Sequence, residues 1–181
     1  MYDRRLVDLQ NRLPSAFMMT RFFSLLVVST LLASCGSAGA KDSGHLPVAQ
    51  ACFVTETARH PVVLEVASDS KDRQKGLMGR EALAENAGML FIYDYERSPE
   101  QGFWMYQTLL PLDIAFLDNE GVIVSIRQMH PCASSRSNDC PSYPAGVSYW
   151  RAVEMNAGYF NSRQIEAGDR LVRDQPAFCN R

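Results

Sequence analysis

The sequence lacks an excess of positive charge outside its N-terminal segment. Residues 1–34 carry four of the 18 basic and two of the 20 acidic side chains, so the remainder carries 14 basic and 18 acidic ones. Nucleic-acid-binding domains are expected to be basic, and this balance therefore argues against a nucleic-acid partner. The composition is not that of a disordered or collagen-like chain either, since 46% of the residues are hydrophobic and 21% are charged. These values are typical of one globular domain.

The sequence patterns of common enzyme and metal sites are also missing. The chain contains no HExxH, GxSxG, P-loop or dinucleotide-binding motif. Its cysteines do not form the closely spaced pairs that zinc sites use. Met129, His130 and Cys132 offer soft ligands suited to copper, but methionines in apolar segments are ordinary packing residues. We therefore expect no metal and no cofactor, and the sequence favours a non-catalytic protein.

The N-terminal segment carries the pattern of an export signal. Residues 22–33 form an uncharged apolar run of 12 residues, which is shorter than the roughly 20 residues of a membrane-spanning helix. A basic start, a short apolar stretch and small residues before a cleavage site describe a secretory signal peptide. The run ends in Leu32-Ala33-Ser34-Cys35, which resembles the lipobox of bacterial lipoproteins. We expect residues 1–34 to be removed and Cys35 to carry a lipid anchor.

The mature protein is expected to be held at a bacterial membrane, on the periplasmic or outer-membrane side. Residues 35–50 are rich in glycine, alanine and serine and predict a flexible tether. Its mean reach is about 20 Å, which keeps the folded part close to the lipid. A translation start at Met18 or Met19 would shorten the leader without changing the mature chain. The alternative is a soluble secreted protein in which Cys35 lies near the cleavage site by chance.

The four remaining cysteines are an even number, which favours disulfides in an exported chain. Cys132 and Cys140 flank a polar segment with two prolines, PCASSRSNDCP. We expect a short-loop disulfide between these two. Cys52 and Cys179 would then join the two ends of the domain.

Short β-branched or alternating segments predict one mainly β domain over residues 51–181. Strands are expected at residues 62–67, 88–93, 112–117, 122–128, 150–155 and 170–173. A hairpin turn is expected at residues 118–121, and Asp69 or Ser70 is expected to cap a short helix that ends at Gly76 or Gly79. Many short strands and few helical residues indicate a compact β-sandwich or barrel-like domain with short helices.

The segment around Trp104 is the best candidate for a ligand-binding site. Pro111 stiffens the loop that presents an indole, a hydroxyl and a carboxylate, and such a loop is typical of small-ligand and sugar sites. A guanidinium at Arg80 is suited to hold a carboxylate or a phosphate. The predicted ligand-binding residues are Arg80, Trp104, Met105, Thr108 and Asp113.

These residues also have a structural interpretation. Arg80 is able to form an internal ion pair with Asp113, Glu65 or Glu154, and Trp104 is able to belong to the core. Glu65 and Glu154 interrupt apolar strands. Two carboxylates about 5–10 Å apart in a deep pocket would favour acid–base hydrolysis, whereas solvent-facing positions on alternating strands explain both glutamates more simply.

Five segments in order resemble the DUF192 family, also called UPF0127. They are GLMGREAL (76–83), GMLFIY (88–93), FWMYQTLLPLDIAFLD (103–118), GVIVSI (121–126) and RAVEMNAGYF…IEAGDRL (151–171). The resemblance implies a compact β-rich sandwich with short helices, and many members carry export signals. The family name assigns no activity. Tyr106 and Gln107 replace the usual Lys-Asn pair, so a role that needs those two side chains is not expected here.

Together these observations predict a lipid-anchored, non-catalytic binding or accessory module for a small polar or carbohydrate-like ligand. An envelope hydrolase with paired carboxylates is the enzymatic alternative. A structural envelope lipoprotein that acts through protein partners is the third hypothesis.

Lipidation at Cys35 is directly testable in a diderm bacterial host grown with labelled palmitate. We expect the wild-type chain to incorporate the label and to sediment with membranes. A Cys35→Ser variant should lose both properties because the serine hydroxyl does not form the thioether. A variant that is still labelled and still membrane-bound would refute the assignment.

Overall fold

The structure is a computed structural model that describes residues 45–175 and Cys179. Within this part the chain forms nine strands: β1 (Val48–Val54), β2 (Arg59–Ala67), β3 (Ala87–Arg97), β4 (Gly102–Trp104), β5 (Leu112–Leu117), β6 (Ile123–Met129), β7 (Ser142–Pro144), β8 (Tyr149–Asn156) and β9 (Arg170–Arg173). Two short helices, α1 (Ser70–Lys75) and α2 (Tyr159–Ser162), and one 3₁₀ turn, Ser137–Asp139, complete the described elements. No helix among them is long and apolar enough to cross a membrane.

Seven strands form one curled sheet in the order β6-β5-β8-β3-β2-β1-β9, and β4 pairs with β7 in a separate small sheet. Neighbours in the large sheet are antiparallel except β2 and β3, which are parallel. The curl brings the two edges together, since Val122 bridges to Arg170 and the Leu171 amide donates to the Gly121 carbonyl over 2.8 Å. The sheet is therefore a half-barrel with an inner and an outer face.

Both faces of the sheet are apolar and covered. The inner face carries one cluster, which includes Phe53, Leu64, Leu90, Val153 and Phe160. The outer face carries a second cluster, which includes Met89, Phe91, Met105, Ile114 and Phe116. α2 packs on the inner face, whereas the α1 segment and the β4–β7 sheet cover the outer face. Strands in such a sheet read as continuous apolar runs, and all six residues of β5 are buried.

The mainly β prediction is confirmed, and the six predicted strands correspond to β2, β3, β5, β6, β8 and β9. The sequence patterns did not predict β1, β4 or β7. The tether boundary at residue 50 is wrong, because β1 begins at Val48 and Ala49 is already buried. Small alanines give β1 little contrast with the preceding alanine-rich segment. Strands of three residues, such as β4 and β7, are too short to show a period.

The predicted short helix is α1, and Asp69 caps it. The Asp69 carboxylate accepts a hydrogen bond from the Asp72 amide over 2.9 Å, which satisfies one of the free N–H groups of the first turn. Gly76 ends the helix at φ +49°, a conformation that suits glycine. The following Leu77 is buried in the outer cluster and so fixes α1 against the sheet.

The structure contains the predicted Cys132–Cys140 disulfide, which closes a loop with a sequence separation of eight. The predicted Cys52–Cys179 disulfide is not formed, and both thiols are free. The two side chains are nevertheless in contact. Burial and this contact with Cys179 raise the pKa of the Cys52 thiol to about 12. The expected signal peptide, Cys35 and residues 36–44 of the tether lie outside the described residues.

The contribution of the loop disulfide to stability is measurable by urea unfolding. Replacing Cys132 and Cys140 together by serine should lower the free energy of unfolding by about 2–3 kcal/mol, because the denatured loop gains conformational freedom. The matched control is Cys179→Ser, which removes a free thiol and should leave the midpoint nearly unchanged. Equal midpoints for the double variant and the wild type would contradict the prediction.

Candidate ligand-binding site

A cavity of about 90 Å³ lies on the outer face of the sheet, next to the end of α1. Its lining comes from α1 and the turn after it, from β3, β4 and β8, and from the loop after β4. The lining side chains that define its chemistry are Arg73, Lys75, Leu77, Phe91, Tyr93, Trp104, Thr108 and Glu154. Two of the predicted site residues, Trp104 and Thr108, therefore meet at this cavity, together with Glu154.

Glu154 is the one carboxyl group of the cavity lining, and it is 4% exposed. It lies on β8 between Met89 of β3 and Ile114 of β5, which are its register partners. Within the described residues its carboxyl has no hydrogen-bond or ion-pair partner. Burial raises the pKa of Glu154 to about 8. A buried carboxyl that opens only to a cavity is a group to which a ligand can bond.

Trp104 and Thr108 form part of the cavity wall. Trp104 ends β4 and is 38% exposed, and its ring lies 5.9 Å from the Tyr106 ring between centroids. An indole that both lines the cavity and meets solvent lies at its mouth. Thr108 is 5% exposed and its hydroxyl donates to the Tyr106 carbonyl over 3.4 Å. Its oxygen lone pairs stay free to accept from a ligand.

Arg73 stiffens the opposite side of the cavity. Its Nη1 donates to the Ile92 carbonyl over 2.9 Å and also to the Ser68 carbonyl. Its guanidinium carbon lies 5.0 Å from the centre of the Tyr93 ring, within the range of a cation–π contact. These contacts fix Arg73 and Tyr93, which line the same cavity as Glu154. Burial raises the pKa of Tyr93, so its phenol stays protonated.

The structure does not bring Arg80 to the cavity lining. Its Nη2 lies 2.7 Å and 2.6 Å from the two carboxylate oxygens of Glu65, in a partly exposed ion pair. Glu65 is one of the three partners that the structural interpretation of Arg80 names. Pairs at such exposure contribute about 1 kcal/mol or less.

Met105 and Asp113 also lie away from the cavity. Met105 is fully buried and belongs to the outer core cluster. Asp113 projects to the inner face, where its Oδ2 accepts from the Gly158 amide over 2.8 Å and its Oδ1 from the Gln128 side-chain amide over 3.5 Å. Burial raises the pKa of Asp113, although the Gly158 hydrogen bond acts in the opposite direction. Asp113 thus holds the chain at the start of α2.

The three candidate catalytic carboxylates do not share a pocket. Asp113 and Glu154 lie on opposite faces of the sheet. Glu65 and Glu154 lie on the same face but are separated by the buried Met89, which pairs with both. Two strand spacings put their backbones about 10 Å apart, and Arg80 already binds Glu65. The arrangement therefore gives no support to a paired-carboxylate hydrolase.

The sequence patterns did not indicate Glu154 as a ligand-binding residue, although it lines the cavity. The available signal was the single carboxylate within the apolar segment AVEM of β8. What the sequence could not show is that the register places it on the covered face, between Met89 and Ile114. Tyr93 was likewise hidden inside an apolar strand.

The chain belongs to the DUF192 family. The family model, described as "Uncharacterized ACR, COG1430", matches residues 52–173. A crystal structure described as a "putative transcription regulator" from Sinorhizobium meliloti 1021 is 28% identical, with a TM-score of 0.65 over 71% of this chain and 95% of that one. A Novosphingobium aromaticivorans protein of unknown function is 26% identical, with a TM-score of 0.61 over 73% and 89%. The comparison with curated proteins gives no match.

Most of the residues in the DUF192 motifs have structural roles in this chain. Gly88 of the GMLF segment lies against β8, where an added Cβ would come within 2.3 Å of the Glu154 carbonyl oxygen. Leu77 and Met105 fill the outer core, and Asp113 positions α2. The family resemblance therefore identifies the fold, whereas Trp104, Thr108 and Glu154 form the cavity on it.

The raised pKa of Glu154 predicts a pH-dependent stability. Between the usual carboxyl pKa of 4.5 and about 8, the unfolded chain ionises at residue 154 while the folded chain keeps its proton. Folding free energy is therefore lost as pH rises through this window, by about 4 kcal/mol. Glu154→Gln should abolish that loss and exceed the wild type in stability at pH 8, with little difference at pH 4.

Urea unfolding across this pH range measures the effect. Glu96→Gln, at an exposed position of β3, is the matched control and should keep the wild-type profile. Parallel profiles for Glu154→Gln and the wild type would show that the carboxyl is not buried as described.

Proposed function

We propose that this DUF192 domain is a non-catalytic binding module that takes a small polar or carbohydrate-like ligand at the Glu154 cavity. The observation that supports it is a nearly fully buried carboxyl, without a partner among the described residues, in the lining of a cavity that a 38% exposed tryptophan also lines. Burying such a group costs free energy unless something bonds to it. A polar ligand group offsets that cost when it binds.

The size of the cavity limits what enters it. A cavity of about 150 Å³ holds a benzene molecule, so the 90 Å³ found here suits a smaller group such as a hydroxymethyl, amide or amine. A sugar ring is too large to enter and would lie at the mouth. There the exposed part of Trp104 offers an apolar face for stacking, while a hydroxyl reaches inward to Glu154 and Thr108.

The carboxyl of Glu154 is suited to a ligand that carries hydroxyls. With a pKa near 8, both protonation states are accessible close to neutral pH. The ionised form accepts hydrogen bonds, and the protonated form also donates one. Hydroxyl groups complement either form.

The proposal also includes a location next to a membrane. The lipobox-like segment that ends in Cys35 supports an exported lipoprotein whose domain samples the space next to a membrane. One structural neighbour is described as a transcription regulator. We do not extend that description to this chain, because residues 35–181 carry more acidic than basic side chains.

Ligand binding is testable through the emission of Trp104. A Trp150→Phe background leaves Trp104 as the single tryptophan, and this protein is titrated with methyl glycosides, cell-wall fragments, glycerol and small anions. We expect one hydroxyl-bearing class to shift the emission. In the same background, titrated above pH 8 where the Glu154 carboxyl is ionised, Glu154→Gln should weaken its binding about tenfold, because a hydrogen bond to a charged group is worth roughly 1.5–3 kcal/mol.

A ligand that binds without changing the emission of Trp104 is detected by calorimetry. The affinity of the wild type is then compared with that of Trp104→Ala, made in the wild-type sequence. This variant should weaken binding about tenfold through the lost stacking surface. Leu109→Ala is the matched control, since Leu109 is an exposed apolar residue of the same loop, with 57% exposure. If no compound binds, or if Glu154→Gln and Trp104→Ala bind as well as the wild type, the site assignment fails. A protein partner that binds the intact chain equally well after both substitutions would favour the structural hypothesis.

A further inference from the structure

A second group of charged side chains lies at one end of the half-barrel, away from the Glu154 cavity. An open groove of about 530 Å³ is lined by Arg151 of β8 and by Arg170 and Arg173 of β9. These two strands follow one another in the chain but are not neighbours in the sheet. The curl of the sheet therefore creates the cluster.

The three guanidinium groups are only partly neutralised by protein. Arg151 donates through Nη1 to the Asp118 and Asn119 carbonyls over 3.2 Å and 2.7 Å, which fixes its position. Its Nη2 makes no hydrogen bond to the described residues, and Arg173 has no hydrogen-bond or ion-pair partner among them. Arg170 lies 3.9 Å from Glu120 in an exposed pair, which is weak.

The acidic groups facing the groove do not cancel this charge. Its lining holds two carboxylates, Glu120 and Asp174, against three guanidinium groups. The nearby Asp118 uses its Oδ1 to accept from the Glu120 and Val122 amides. Burial lowers the pKa of Arg151 and the charge of Arg173 lowers it further, whereas the charge of Asp118 acts in the opposite direction. Repulsion between neighbouring like charges is relieved when an anion binds between them.

We propose that this groove binds a phosphate-type oxyanion through Arg151, Arg170 and Arg173. Guanidinium groups donate two N–H bonds in a planar fork that matches the oxygens of phosphate. All three arginines line the same open groove, so more than one guanidinium group is available to an anion bound there. Free phosphate and the phosphodiester of a lipid headgroup share this chemistry.

The test uses the full chain in neutral detergent, titrated calorimetrically with inorganic phosphate and with glycerophosphoglycerol, a soluble headgroup diester. We expect binding that Arg173→Gln weakens at least about tenfold, because one charge-assisted contact is removed. If Arg173→Gln lowers the melting temperature, Arg170→Gln replaces it as the test variant. Arg136→Gln is the matched control, since Arg136 is paired with Asp139 in the disulfide loop.

Each outcome has one meaning. Binding of the diester assigns a lipid headgroup, and binding of inorganic phosphate alone assigns a free anion. Absence of both, or equal weakening by Arg136→Gln and Arg173→Gln, overturns the proposal. Trp104→Ala should leave this binding unchanged, so the result is independent of the proposed function of the Glu154 cavity.

Discussion

Burial of the central strands on both faces is the constraint on which the other features depend. Every residue of β5 is buried, and so are four consecutive residues of β8, from Ala152 to Met155. A polar side chain on such strands has to be bonded internally or has to reach a cavity. The two carboxyl groups placed there meet this requirement in different ways. Asp113 accepts hydrogen bonds from Gly158 and Gln128 and also borders an open pocket beside α2, whereas Glu154 lines a cavity without a hydrogen-bond partner among the described residues.

We interpret this difference as one between a structural carboxylate and a carboxyl that binds the proposed ligand. Asp113 stands in the segment with the clearest family resemblance, and its hydrogen bonds explain its presence without any ligand. Glu154 stands in an ordinary-looking apolar strand, and nothing among the described residues bonds to its carboxyl. The arginine-lined groove is a second place where polar side chains lack a full set of partners among the described residues, and there the side chains are positively charged. In both places polar groups without a full set of partners among the described residues border open space, and we propose that a ligand of complementary chemistry binds there.

Much of the fold follows from sequence patterns, because β-branched and alternating segments are recognisable when strands are long. β5 has the predicted bounds, and Asp69 caps α1 as expected. β1 escaped recognition because its buried positions are filled by small residues as well as by Phe53. Of the predicted site residues, Trp104 and Thr108 line one cavity, whereas Arg80, Met105 and Asp113 do not line it. Proximity along the chain did not give proximity in space for Met105 and Asp113, because successive strand residues point to opposite faces.

The sequence by itself determined the class of fold, the family, the pairing of Cys132 with Cys140 and the lipobox-like segment, because each of these depends on local composition or spacing. Only the tertiary structure decided which face of the sheet each polar side chain occupies. Glu154 and Asp113 are both single carboxylates within apolar strands, and no local pattern distinguishes them. Strand register and the curl of the sheet placed Glu154 in the same cavity lining as Trp104, and Arg151 in the same groove lining as β9. Both depend on tertiary packing between separate elements of the fold.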